Sequence, residues 1–354
     1  MKKSLSGLAL MLCAQFAAPL CVASPFSESY AAYQQALAGH DKAQVALTAA
    51  KAYELGQGYF ESDSIDLVNL ELNLATALQE NGDTKAAHKH FDNVIQVYRK
   101  HFGRDAIELV DPLIGAAQTM EASKEKVDLF KQAISIAQDA DKPLLLAEVK
   151  MLTFHGLAST HFYTRDIRDE ALEAYEIYRH EMPADAMARL KATYYVGMIK
   201  AAEKKYDRAI PLLEEVIKQF SVLDFSHPYK LAAHARLVEI FEAEGESDKS
   251  TQHCVAIGSM KPWSDEQEQS PLYREAPKYP ISYARDRREG WTQMSFTVDE
   301  QGFVRDPVVL ASEGGQQFTR ESLKAIKRWR YAPKFVDGKP VPAEVSVQLD
   351  YRVK

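Results

Sequence analysis

A chain of 354 residues is too long for one compact core and predicts about two or three domains. Its 46% hydrophobic and 26% charged fractions exclude a disordered polymer, and past the first two dozen residues no apolar run is long enough to span a bilayer. The net charge of −7 is uneven: residues 270–354 carry 15 Lys or Arg against 11 Asp or Glu, a surplus of +4 that leaves −11 for the rest. An acidic main body argues against nucleic acid as the principal partner.

The N-terminus has three parts. Lys2 and Lys3 begin it, an apolar run follows from Leu5 to Leu20, and Pro19 precedes the small residues Cys21-Val22-Ala23-Ser24. This is the layout of a secretory signal peptide, residues 1–23, with cleavage expected after Ala23 or else after Ser24. The competing reading is a retained anchor over Leu5 to Ala23, the chain's only route to a membrane. Cys13 and Cys21 lie in this segment. That leaves Cys254, which has no partner for an internal disulfide and is expected as a small buried helix residue.

Between residues 24 and 262 the apolar residues recur at helical spacing in pairs of segments. Leu74, Ala75 and Leu78 form one face, Asn81-Gly82-Asp83 a turn, and Ala87, Phe91, Val94 and Ile95 a second face. This segment resembles a tetratricopeptide repeat. Weaker copies contain Leu113, Ala117, Phe130, Ala133 and Ile134, then Ala158, Phe162, Ala171, Tyr175 and Tyr178. Stronger ones contain Val196-Gly197, Tyr206, Ala209, Leu213, Val216 and Ile217, then Leu237, Phe241, Gly245, Ile257 and Pro262. Tyr30 to Tyr53 adds a further pair. The copies are spaced more widely than the consensus period of about 34 residues. One pair cannot hide its apolar face, so the expected architecture is an α-solenoid of stacked pairs, with Ala75, Ala87, Gly197 and Ala209 at points of close approach. The resemblance implies protein or peptide partners.

From Lys261 the composition turns to Pro, Gln and acidic residues, which places a linker at 263–276. The pattern then changes to that of a small α+β domain over 277–354. Trp291 to Asp299 alternates, with Thr292, Met294, Phe296 and Val298 on one face, and Asp299-Glu300-Gln301-Gly302 makes a hairpin turn. Phe303 to Ser312 is a second strand, with Pro307 marking a bulge or an edge. Gly314-Gly315 leads into a helix with Phe318, Ser322, Ala325, Ile326 and Trp329 on one side. Pro333, and Gly338 before Pro340, mark a loop. Val341, Ala343, Val345, Val347, Leu349, Tyr351 and Val353 then alternate with polar residues. The expected order is β-β-α-β: an antiparallel sheet with one packed helix.

This region resembles the C-terminal domain of the TonB energy-transducer family. The likeness rests on Pro277-Lys278-Tyr279-Pro280, Ala284, Gly290, Phe296-Thr297-Val298, Gly302-Phe303-Val304, Ser312, Phe318, Ala325, Trp329-Arg330-Tyr331-Ala332-Pro333, Gly338 and Val341-Pro342. The resemblance implies a periplasmic domain that grips an extended segment of an outer-membrane receptor by strand addition. The residues expected to flank such a guest are Tyr279 and Pro280 before the sheet, and Glu344, Ser346, Gln348, Asp350 and Arg352 along the last strand. Tyr279 and Pro280 serve equally well as structural anchors. The charges at Glu344, Asp350 and Arg352 would guard a free edge against indiscriminate pairing.

Two departures from that family count. A helical array replaces the proline-rich spacer, and the N-terminus reads as cleavable. The expectation is therefore a periplasmic interaction scaffold beside a TonB-type transport system. The alternatives are an anchored TonB-like energy transducer and an envelope-assembly or cell-wall adaptor whose small domain caps the array. No enzyme is expected, and no cofactor. There is no phosphate-cradling glycine loop, no Gly-x-Ser-x-Gly elbow and no Cys–His pair. His88 and His90 are two apart on a helix and diverge, and His155 and His161 have no ligand cluster around them.

Overall fold

The computed structural model describes residues 24–222, 227–260 and 270–353. The expected signal peptide at 1–23, Pro262 and the linker residues 263–269 lie outside them. The chain forms two compact units, divided between Ala140 and Asp141.

The first unit contains α1 (Pro25–Leu37), α2 (Lys42–Gln57), α3 (Ile65–Asn81), α4 (Thr84–Phe102), α5 (Val110–Thr119) and α6 (Lys124–Asp139). Short polar side chains start most of them. The side chains of Ser24, Asp41, Ser64, Asp83 and Ser123 each accept a backbone N–H three residues on, filling the role of the N-cap. Gly82 ends α3 at φ 92°, where Asp83 N–H reaches the Leu78 carbonyl. A glycine is suited to that left-handed position because it carries no Cβ. Ala75 and Ala87, the expected points of close approach, are completely buried, as are Leu113, Ala117, Phe130 and Ala133.

The second unit continues with α7 (Pro143–Leu157), α8 (Arg165–Glu181), α9 (Met187–Ala202), α10 (Tyr206–Phe220), α11 (Pro228–Glu244) and α12 (Ser247–Met260). Leu213, Val216, Ala209, Leu237 and Phe241 share one core here. At Gly197 an added Cβ would come within 3.0 Å of Leu213. One repeat differs from the expected register. α7 presents Ala147, Met151, Phe154 and Leu157 inward, whereas Ala158 caps it and Phe162 lies in the following turn. Pro143 sets the start of α7 and Thr164 that of α8, so the helical phase begins earlier than Ala158 implied.

After a short helix α13 (Ile281–Arg285) the C-terminal part runs β1 (Gly290–Val298), β2 (Val304–Glu313), α14 (Gln316–Ile326), β3 (Lys334–Val336), β4 (Lys339–Val341) and β5 (Ala343–Tyr351). The main sheet is antiparallel in the order β2-β1-β5, and α14 lies across β1 and β2. Met294, Phe296, Val298, Ile326, Trp329, Val345 and Leu349 build the core between them. β2 is bulged twice, once around Asp306 and Pro307, as Pro307 foretold. The expected loop at Pro333–Pro340 is in fact the β3–β4 hairpin, turned by Asp337 and Gly338 at φ 50° and 74°. Val341 therefore belongs to this hairpin, and the last strand of the main sheet begins only at Ala343.

Candidate partner-binding edge of the C-terminal sheet

β5 pairs with β1 in continuous register, from Gly290 opposite Tyr351 to Val298 opposite Ala343. Among the described residues no strand flanks its other side. In an antiparallel ribbon the backbone groups alternate in direction, so every second N–H and C=O of β5 points away from β1. The strand is held from within. Val345, Leu349 and Tyr351 are buried, and the Tyr351 ring stacks on Phe318 at 4.2 Å. The Tyr351 hydroxyl donates to the Phe318 carbonyl at 3.0 Å and lies 2.8 Å from the Ser322 hydroxyl. Burial raises this phenol's pKa, so it stays protonated as the donor.

Glu344, Ser346, Gln348 and Asp350 alternate with those core residues and share the exposed face of the sheet. Glu344 accepts from the Thr297 hydroxyl at 2.6 Å, and the Gln348 amide donates to Asp350 at 2.9 Å. Arg352 follows the end of the strand, exposed. Tyr279 packs edge-on against Phe318 at 5.4 Å and Tyr351 at 5.7 Å, and its hydroxyl donates to the Arg288 carbonyl. Pro280 is buried and precedes α13. The seven residues thus fall into two groups that meet at Tyr351. Five line β5 and its end, and two pin the preceding segment beside it.

Sequence reasoning passed over a second feature. Arg330, only 1% exposed, reaches out of the sheet domain into the α11–α12 pair. Its guanidinium pairs with Glu242 and donates to the Ser250 hydroxyl at 2.8 Å, the Thr251 hydroxyl at 2.9 Å and the Gln301 carbonyl at 3.0 Å. The Phe303 ring lies 3.7 Å beneath it. Ser247 and Ser250 also donate to Glu242, so the carboxylate is held on several sides. Around this pair Val238, Cys254 and Ile257 pack with Ala332, and at Gly258 an added Cβ would lie 2.5 Å from the Pro333 carbonyl. Burial pushes the Cys254 thiol up to about 12, leaving it inert near neutral pH. The ion pair joins positions 88 residues apart, and no local spacing announces it.

The array itself has an open cavity of about 600 Å³ on α7–α9, lined in part by Phe154, Tyr163, Tyr195, Arg168 and Glu203. Arg168 donates to Glu203 at 2.8 Å. The histidines singled out in the sequence do not converge. His88 bonds the Ala116 carbonyl and Thr119, His90 bonds Glu71, and His155 lies edge-on to Tyr195 at 4.3 Å. Among the described residues no group of three His, Cys, Asp or Glu could hold a metal ion. None of the described helices is long and apolar enough to cross a membrane.

Residues 275–353 match the family model described as Gram-negative bacterial TonB protein C-terminal, and residues 72–105 match a tetratricopeptide repeat model. Both sequence resemblances therefore stand. The TonB protein of Vibrio cholerae is 27% identical over 78 residues, covering 22% of this chain and 32% of the relative. That of Escherichia coli is 36% identical over 69 residues, covering 20% and 27%. The chain thus spans about a third or less of these curated relatives. The solution structure of the Pseudomonas aeruginosa TonB C-terminal domain is 27% identical, covers 25% of this chain and 91% of that one, and gives a TM-score of 0.23. The RpL4 assembly chaperone is 15% identical, covers 67% and 92%, and gives 0.46.

Proposed function

We propose that this chain is a periplasmic interaction scaffold of a TonB-type outer-membrane transport system, and that it binds an extended peptide by strand addition to β5. The observation that carries this reading is a nine-residue strand paired, among the described residues, on one side only. A guest laid beside it would complete the ladder, with main-chain bonds supplying affinity and flanking side chains supplying choice. Asp350 and Arg352 would meet the guest near one end, and Glu344 near the other. Tyr279 and Pro280 contribute by holding the preceding segment against Phe318 and Tyr351. The match to the TonB C-terminal model supports the transport setting, and the helical array supplies surface for a second envelope protein.

One observation favours a second reading, in which the domain closes the end of the array. The α11–α12 pair buries Val238, Cys254 and Ile257 against it.

The test is titration of the full chain with a labelled peptide copying the extended segment that precedes a TonB-dependent receptor's barrel. Ser346→Pro and Val347→Pro are compared. Because neighbouring N–H groups face opposite ways, one proline removes a bond to β1 and the other only an open donor. The variant that keeps native stability should lose peptide binding at least about tenfold. Unchanged affinity in that variant leaves only the capping reading.

A further inference from the structure

The sheet has a second open edge, and its chemistry differs from that of β5. β2 has β1 on one side and, among the described residues, no strand on the other. Two of its apolar side chains stand in solvent: Val308 at 57% exposure and Leu310 at 54%. Leu310 is the extra residue of the second bulge, where Gln293 faces Ala311 and Met294 faces Val309. A bulge blunts an edge against casual backbone pairing. A guest on this side therefore needs side-chain contacts, and α14 offers them. One flank of α14 faces the segment before the sheet, where Tyr283 packs on Phe318 at 4.9 Å and Ser282 bonds Gln317 at 3.2 Å. The other flank, over β2, presents Gln316, Thr319, Arg320, Leu323, Lys324 and Lys327 as one stripe at helical spacing along an open cleft of about 490 Å³. Three cations border Leu323 there against one carboxylate, Glu321, which pairs with Arg320 at 3.6 Å and Lys324 at 2.8 Å.

We propose that the β2 edge and this flank of α14 dock a second protein through an extended segment in which apolar residues are flanked by Asp or Glu. Val308 lies opposite Ser295, on the face away from α14, so the guest's apolar side chains would cover Val308 and Leu310 there, and its alternating carboxylates would meet Arg320, Lys324 and Lys327 on the helix side. Charge complementarity selects this occupant, because an excess of positive charge beside an apolar strip favours an acidic guest. The outer face of β5 carries Glu344 and Asp350 instead, so the two edges favour different partners and the small sheet can bridge them. This does not depend on β5 binding anything.

The experiment uses the full chain and two short labelled peptides, alternating valine with glutamate or valine with lysine, followed by fluorescence anisotropy. The glutamate peptide should bind and the lysine peptide should not. Binding should weaken as salt rises and fall at least about tenfold in K324E/K327E. Both lysines are exposed, so the variant keeps its fold, and whichever of Ser346→Pro and Val347→Pro keeps native stability should leave this binding in place. Equal binding of the two peptides, or no change in K324E/K327E, overturns the proposal. So does capture of anionic vesicles, or self-association, lost in K324E/K327E with no peptide binding.

Discussion

At the scale of single residues, Arg330 does work that its place in a sequence motif conceals. A buried charge is tolerated only when it is paired and hydrogen-bonded. Here Glu242 supplies the countercharge, and Ser250, Thr251 and the Gln301 carbonyl accept from the terminal nitrogens, while the buried Nε has no partner. Removing one partner strands the other. Arg330→Ala should therefore cost about 3–5 kcal/mol of stability, measured by chemical denaturation, whereas the double change Glu242→Leu with Arg330→Met should recover much of that loss. A cost under about 1 kcal/mol for Arg330→Ala would mean the pair is solvated and contributes little. Gly302 belongs to the same site. Its φ of 84° and the Tyr331 carbonyl, 2.1 Å from a built Cβ, leave no room for a side chain.

At the scale of elements, the terminal helical pair carries a titratable contact between its two helices. His234 of α11 and His253 of α12 meet Nδ1 to Nδ1 at 2.8 Å, so one ring donates and the other accepts. Burial lowers both pKa values to about 4, aided at His234 by the neighbouring His253 and by Lys230. The unfolded rings titrate near 6.5. Between these values the unfolded chain binds more protons, so this contribution is complete above about pH 6.5 and is lost as pH falls toward 4. The unfolding free energy should drop by roughly 3 kcal/mol per ring over that window, and His253→Phe should flatten the drop. An unchanged slope in His253→Phe would place the acid sensitivity elsewhere.

Element periodicity was the most legible part of the sequence. The helical pairs and the β1–β2 hairpin follow from apolar spacing, capping residues and the turn at Gly302. The β3–β4 hairpin was missed because its strands are three residues each and one contains Pro340, too short for alternation to register. Asp337-Gly338, a favoured hairpin turn pair, was the available signal. The shift in α7 has a similar cause. Its face is apolar nearly all round, so the phase cannot be read from spacing alone. The Arg330 site was illegible because it is wholly tertiary.

At the scale of the whole molecule, the chain joins two kinds of architecture. One is a helical array in which successive helices pack on one another within each unit. The other is a three-stranded sheet with, among the described residues, an open strand on each side. In the second unit the sheet domain packs on α11 and α12 through Arg330, Ala332 and the β3–β4 hairpin, none of which belongs to β5. A guest on β5 therefore need not compete with the fold for backbone partners. The most direct measurement is hydrogen exchange of the full chain with and without the receptor-derived peptide. The account predicts new protection of alternate amides within Ala343–Tyr351, with α11 and α12 unchanged. Protection confined to the helical array, with the β5 amides exchanging as before, would contradict it.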